Sequence, residues 1–328
     1  MSDIAQVTID SSQHPENIRR ELVNSLRARR INHKFLYDGV RQTRKWLALH
    51  QAHSPSRNDA DCRATYERSF EASAAKIAAG RVHLVGLGCG GGQKDARLLS
   101  LLRLQGKAPG YTPCDVSAAM VLVARQAALP VVSDEQCFPL VCDLAVADDL
   151  PALIERQGPV AAARLITFFG MIPNFEPHSI IPKLASLVRP GDLLLFSANL
   201  APGPDYAAGL ARVLPQYDNA LTRDWLMTFV LDLGVERGDG ELRFTIEDGP
   251  AGSGLKKIVA RFHFAGTRRI EAGGEAFEFR AGDDLQLFFS YRYTPVLVRA
   301  ALGGSRLAVL DQWITKSEEE GVFLCRRS

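Results

Sequence analysis

The sequence lacks a surplus of either charge. There are 39 Lys+Arg against 37 Asp+Glu, a net charge of +2 over 328 residues. Charges mixed this evenly leave no electrostatic footprint for nucleic acid or for an anionic membrane surface. Long apolar runs are missing too: nothing approaches the roughly 18 uncharged apolar residues of a membrane-crossing helix. The opening MSDIAQVTIDSSQHPENIRR is polar and has no apolar signal-peptide core. Cysteine is scarce and scattered (Cys62, Cys89, Cys114, Cys137, Cys142, Cys325), with no C-x-x-C pair. A reduced cytoplasmic protein that folds without disulfides is expected. His50 and His53 have no third ligand at metal spacing, so no metal is expected. No internal repeat or low-complexity tract is visible. What is present is ordinary: 46% hydrophobic and 23% charged residues, which excludes a disordered or fibrous chain. The expected partner is a small molecule, with no nucleic acid and no membrane. The expected state is a monomer, with a homodimer as the alternative.

Residues 1–75 read as mostly helical. NIRRELVNSLRARR puts Ile18, Leu22, Val23 and Leu26 on one helical face. TRKWLALHQAHS and DCRATYERSFEASAAKIAAG follow, stopped by Pro55 and Gly80. Between residues 82 and 198 short apolar runs alternate with amphipathic helices: VHLVGL, YTPCD, FPLVCD, ARLITFF and LLLFSA are the runs. That alternation predicts βα units and a parallel sheet covered on both faces. From about 200 to 290, two helical segments precede polar–apolar alternation in ELRFTIED, KKIVARFHFAG, EAFEFRAG and DLQLFFSYRY. This predicts an antiparallel sheet with flanking helices. TPVLVRAALG, LAVLDQWI and GVFLCRR then predict a helix and a closing hairpin, whose tip, Ser317–Glu320, reads as solvated.

Val85-Gly86-Leu87-Gly88-Cys89-Gly90-Gly91-Gly92 ends the first apolar run and opens a helix. Glycines allow a tight strand-to-helix turn and let a ligand approach the backbone. The spacing fits a dinucleotide loop (86, 88, 91) and an S-adenosylmethionine loop equally well. Asp115 closes the second run and Asp143 the third. An acid at the second strand end accepts ribose hydroxyls, and one after the third accepts an adenine amine. The competing reading makes both helix N-caps. No Tyr-x-x-x-Lys pair for hydride chemistry is present, and a C-terminal antiparallel hairpin is common in methyltransferases. Cys89, Cys114 and Cys142 at strand ends read as small core residues.

KFLYDG, GLGCGGGQKDARLL, YTPCDVS, IPNFEP, QYDNA and FFSYRYTP, in that order, resemble the histidine-specific, S-adenosylmethionine-dependent methyltransferases of ergothioneine biosynthesis. The fungal dimethylallyltryptophan N-methyltransferases are similar. The resemblance implies an α/β fold: a Rossmann-like class I methyltransferase sheet with a second α+β substrate-binding domain. It divides the chain into N-terminal helices belonging to the substrate domain (1–59), the cofactor-binding domain (60–199), the substrate-binding insertion (200–294) and the C-terminal helix and hairpin (295–328). It implies S-adenosylmethionine as cofactor, S-adenosylhomocysteine being the product. The family's cofactor loop falls on Gly88 to Lys94, with Cys89 and Gly90 inside it. Its ribose acid falls on Asp115, and its adenine acid and next residue on Asp143 and Leu144. Tyr37, Asn174 and Tyr217 match the residues that hold the substrate's amino and carboxylate groups, and so carry the catalytic positioning.

Departures from the family are specific. Ser54 stands where the family has a Tyr. The segment before Asn174 is Phe169-Gly170-Met171-Ile172-Pro173 in place of Gly-Ser-Thr-Ile-Gly. The acid before the glycines is Gly86, and the imidazole-binding Glu of Glu-x-Ser is Phe288, ahead of Phe289 and Ser290. Losing that carboxylate leaves a substrate imidazole N–H unpaired, at a cost of roughly 1–3 kcal/mol. The expected reaction is therefore methyl transfer to a nitrogen of an apolar or aromatic amino acid, or an amine derived from one, and not to histidine. The alternatives are an O- or C-methyltransferase of a natural-product intermediate and a catalytically inactive cofactor-binding scaffold or regulator.

Overall fold

The computed structural model describes residues 4–147, 149–158 and 162–328. In chain order the elements are β1 (Thr8–Ile9), α1 (Pro15–Arg27), α2 (Val40–His53), α3 (Pro55–Asn58), α4 (Ala60–Lys76), β2 (Arg81–Leu87), α5 (Gln93–Leu104), β3 (Ala108–Asp115), α6 (Ala118–Ala128), β4 (Leu140–Val141), α7 (Leu150–Gln157), β5 (Ala163–Phe168), α8 (Pro177–Leu187) and β6 (Leu193–Asn199). There follow α9 (Tyr206–Val213), α10 (Ala220–Asp232), β7 (Gly240–Asp248), β8 (Lys256–Phe264), β9 (Arg268–Ala272), β10 (Glu275–Phe279), β11 (Asp284–Arg292), α11 (Pro295–Gly303), β12 (Leu307–Ile314) and β13 (Glu320–Arg327).

The main sheet has the order β1-β4-β3-β2-β5-β6-β13-β12. Strands β1 to β6 pair in parallel, and β13 and β12 close the edge antiparallel. The apolar runs that predicted these strands are buried along nearly their whole length, which a sheet covered on both faces requires. One face packs α4 and α5 through Tyr66, Phe70, Leu98 and Leu102. The other packs α7, α8 and α11 through Ile154, Ile181, Leu184 and Val298. The chain runs outward from β2 through β3 to β4, then returns to place β5 on the other side of β2. The order therefore reverses beside β2, and open α/β sheets bind ligands at such a point.

A second layer contains the sheet β11-β8-β7 and the hairpin β9-β10, all antiparallel. The apolar face of α1 and the segment Ile31–Leu36 pack with α10 and these strands, around Leu26, Phe35, Trp225, Phe262 and Leu285. One expectation is corrected: FPLVCD pairs as a strand over only Leu140–Val141. The N-terminal region is mostly helical as expected, and Thr8 and Ile9 add the strand β1 beside β4. Residues 1–3 of that region lie outside the described residues.

Candidate active site

A cavity of about 460 Å3 lies over the C-terminal ends of β2, β3 and β5 and the segment after β4. At its floor is the glycine loop. Gly88 and Gly90 sit at φ +61° and +51°, the left-handed region that disfavours side chains. A Cβ on Gly88 would stand 2.5 Å from Met171, and one on Gly90 3.1 Å from the Trp46 ring. The loop is tied to the next strand by Asp115. Its Oδ2 accepts the Gly90 N–H at 3.1 Å, and its Oδ1 accepts the Ser117 N–H at 3.0 Å. Burial pushes this carboxyl up to about 6, against the pull of those N–H groups. The capping reading does not hold for Asp115: Ser117 is the N-cap of α6.

Asp143 caps no helix either. Its Oδ1 accepts the Ala145 N–H at 2.9 Å, and its Oδ2 is buried with no hydrogen-bond partner. The Lys34 ammonium stands 3.4 Å from that oxygen and is likewise unbonded. Buried polar atoms are nearly always satisfied. An exocyclic amine would supply the hydrogen bond that Asp143 Oδ2 lacks, so the acids, the loop and Leu144 fit an adenosine. Lys94 opens α5 from the same loop. Its ammonium donates to the Tyr66 hydroxyl at 2.8 Å and lies 3.9 Å from Glu320. Burial lowers its affinity for the proton, which Glu320 opposes.

Gly86 stands where the family resemblance implies an acid. An added Cβ there would meet Asp95 Oδ2 at 2.1 Å, so the Asp95 carboxylate, reaching back from α5, fills the vacated space. It accepts from the Tyr111 hydroxyl and from Thr167 Oγ1, both at 2.8 Å. Burial raises it to about 6.

The far end of the cavity is aromatic. Tyr37 lies 5.3 Å from Trp225 and 6.0 Å from Trp46, centroid to centroid, and Trp46 stacks on His50 at 4.9 Å. Burial, then Asp115, raises the Tyr37 hydroxyl above its ordinary range. Burial, then Lys94 and Arg57, pushes His50 down to about 3. Asn174 donates Nδ2–H to the Phe289 carbonyl at 2.8 Å, which leaves its Oδ1 as an acceptor. His33 sets its ring edge against Phe288 at 5.4 Å and Phe289 at 4.9 Å.

Tyr37, Gly88, Cys89, Gly90, Lys94, Asp115, Asp143, Leu144, Phe169 and Asn174 line this one cavity. Among the described residues, Ser54, Tyr217, Phe288 and Ser290 lie outside the lining. Ser54 Oγ bonds Ser56 Oγ at 2.9 Å at the end of α2. Phe288 is 8% exposed and packs on His33, Trp225 and Tyr217. Sequence reasoning passed over Trp46, His50, Tyr66 and Met171 as cavity residues. Trp46 and His50 were legible as an i, i+4 pair on α2. The hairpin tip is corrected in part: Glu320 turns inward to accept from the Tyr66 hydroxyl and from Cys62. All six cysteines are free. No cluster that could hold a metal occurs among the described residues. No helix among them is long and apolar enough to cross a membrane.

The sequence model of a family described as histidine-specific methyltransferase, SAM-dependent, matches residues 18–207. No curated protein matches the chain. Solved structures that resemble it include an S-adenosylmethionine-dependent methyltransferase from Clostridium acetobutylicum ATCC 824, at 14% identity, 87% of this chain, 98% of that chain and a TM-score of 0.47. Another is magnesium protoporphyrin IX methyltransferase from Synechocystis PCC 6803 with bound SAH, at 14% identity, 90% of this chain, 100% of that chain and a TM-score of 0.44.

Proposed function

This chain belongs to the histidine-specific, SAM-dependent methyltransferase family, and from that premise we propose that it methylates a nitrogen of a small apolar or aromatic amino acid, or of an amine derived from one, and not histidine. S-adenosylmethionine is the cofactor, and the fold is the class I methyltransferase sheet. When bound, that cofactor supplies a methyl group on a cationic sulfonium. Asp115 would hold the ribose and Asp143 the adenine, with Gly88 and Lys94 at the methionine end. The free cysteines support a reducing, cytoplasmic setting.

The residues of the chain would mainly position the acceptor. Aiming a neutral amine lone pair at the methyl carbon accounts for much of such a barrier. The Asn174 Oδ1 and the Tyr37 hydroxyl can each accept an amine N–H and so orient the nitrogen. Burial and the neighbouring cation of the cofactor both favour the neutral amine.

The observation that carries the choice of substrate is at Phe288. This residue stands where the family resemblance implies an imidazole-binding carboxylate, and the His33 ring covers it. The acids lining the cavity are Glu67, Asp95, Asp115 and Asp143. Glu67 is paired with Arg97, Asp95 with Tyr111 and Thr167, and the other two belong to the adenosine end. A substrate imidazole would find no free carboxylate, whereas an aromatic ring would find Tyr37, Trp46, Phe169 and Phe175. The test is a turnover screen of histidine, tryptophan, phenylalanine and their amines, reading methylated product by mass spectrometry. Faster turnover of an aromatic substrate than of histidine is expected. Faster turnover of histidine would contradict the reading.

A further inference from the structure

Lys34 is a buried cation whose donors are unspent. It is 2% exposed, and its ammonium has no hydrogen-bond partner. That ammonium stands 3.4 Å from Asp143 Oδ2, which is unbonded as well. Asp143 is 4% exposed, and both residues line the cavity. A buried ion pair away from the cavity is bonded more fully: Arg164 Nε donates to Asp192 Oδ2 at 2.9 Å, and its Nη2 donates to the Leu187 carbonyl at 3.0 Å. An ammonium carries three N–H donors, and buried donors are nearly always satisfied. Lys34 and Asp143 attract one another, yet both keep hydrogen-bonding capacity at the cavity wall.

Both groups are fixed in place. Lys34 lies in the turn His33–Leu36, which Asn32 caps by accepting the Lys34 N–H at 3.1 Å. The Lys34 carbonyl accepts the Tyr37 and Asp38 N–H groups, each at 2.9 Å. Trp225 Nε1 donates to the Leu36 carbonyl at 2.8 Å and pins the turn to α10. On the other side the Asp143 N–H donates to Ser12 Oγ at 2.9 Å, and its Oδ1 accepts the Ala145 N–H. What remains is a fixed donor beside a fixed acceptor. Adenine presents the complement along its edge, an amine donor beside a ring-nitrogen acceptor. Contacts made in such pairs add geometric specificity to affinity.

We propose that Lys34 is a second reader of the purine: with the amine on Asp143 Oδ2, the Lys34 ammonium donates to a ring nitrogen, N1 or N7, beside that amine. The base is thereby held from both layers of the fold, by Asp143 after β4 and by Lys34 on the turn that leads to Tyr37. The proposal concerns the cofactor alone and does not depend on which acceptor is methylated.

The test is equilibrium binding of three ligands to the full chain, by calorimetry: S-adenosylhomocysteine, its analogue with carbon in place of purine N1, and its analogue with carbon in place of purine N7. No methyl transfer is needed. One of the two analogues is expected to bind about 10- to 100-fold more weakly than S-adenosylhomocysteine, the range of one hydrogen bond to a charged group. Lys34→Met should bind S-adenosylhomocysteine more weakly by a similar factor and should no longer distinguish it from that analogue. Lys34→Gln, neutral and one atom shorter but still polar beside Asp143, should lose the distinction too. A lysine that only stabilised the fold would leave the distinction between ligands intact. Wild-type protein that binds all three ligands within threefold of one another overturns the proposal and leaves the cofactor standing, whether or not the variants fold. A penalty that survives in both Lys34 variants overturns it as well. Failure of S-adenosylhomocysteine itself to bind would remove the cofactor and the proposal together.

Discussion

Replacing Asp115 with Asn changes one oxygen of the acid to an amide nitrogen and removes its charge. In the native protein each carboxylate oxygen already accepts one backbone N–H, Gly90 at 3.1 Å and Ser117 at 3.0 Å, and keeps a lone pair for a ribose hydroxyl. A hydrogen bond to an ionised group contributes about 1.5–3 kcal/mol. The substitution forfeits one such bond and weakens the other, so the Kd for S-adenosylmethionine should rise about 10- to 100-fold. The pH dependence should change with it. Because burial raises this carboxyl from 3.8 to about 6, folding favours its protonated form. That contribution to stability is fully present below 3.8 and is lost as the pH rises through about 6, about 3 kcal/mol in all. Cofactor binding has the opposite sign, since it needs the carboxylate. Wild-type affinity should fall as the pH drops below about 6, and the affinity of Asp115→Asn should be flat there. Stability of the variant should still depend on pH, because Asp95 is raised to about 6 as well. Calorimetric titration between pH 5 and 8, with melting curves of the free protein, measures all of this. A Kd within threefold of wild type, or an unchanged pH profile of binding, would refute the reasoning.

Two further substitutions separate ligand contact from packing. Lys94→Met removes the cation beside Glu320 and the donor to Tyr66, at a cost of about 3 kcal/mol of stability; cofactor affinity should fall at least tenfold in the same protein. A lower melting temperature with unchanged affinity would make the lysine purely structural. Gly88→Ala places a methyl group 2.5 Å from Met171 at φ +61° and should cost about 1–2 kcal/mol of stability as well as cofactor affinity. A variant that melts and binds like wild type would show that the loop tolerates a Cβ.

Much of the main sheet was legible because a parallel strand buried on both faces leaves a continuous apolar run, as in Arg81–Leu87 and Leu193–Asn199. The shortness of β4 was not: FPLVCD reads as one run, but only Leu140 and Val141 pair as a strand. The glycine loop and the two acids were legible for a related reason: they fall at strand ends, where local turn chemistry is strict. The aromatic end was harder. Trp46, His50 and Tyr66 come from α2 and α4, and only the packing of those helices over the glycine loop turns them toward the cavity. Glu320 illustrates the limit. Its run of acids reads as a solvated tip, yet Tyr66 and Cys62 give it buried partners 254 and 258 residues away in sequence. The placing of the Asp95 carboxylate against Gly86 likewise depends on a contact from α5 that no spacing rule contains.

The most direct measurement is a crystal structure of the protein grown with S-adenosylhomocysteine. It should show the sugar hydroxyls on Asp115, the purine amine on Asp143 Oδ2 and the thioether over Gly88. Density for the nucleoside elsewhere, or an Asp115 that still bonds only Gly90 and Ser117, would contradict the account.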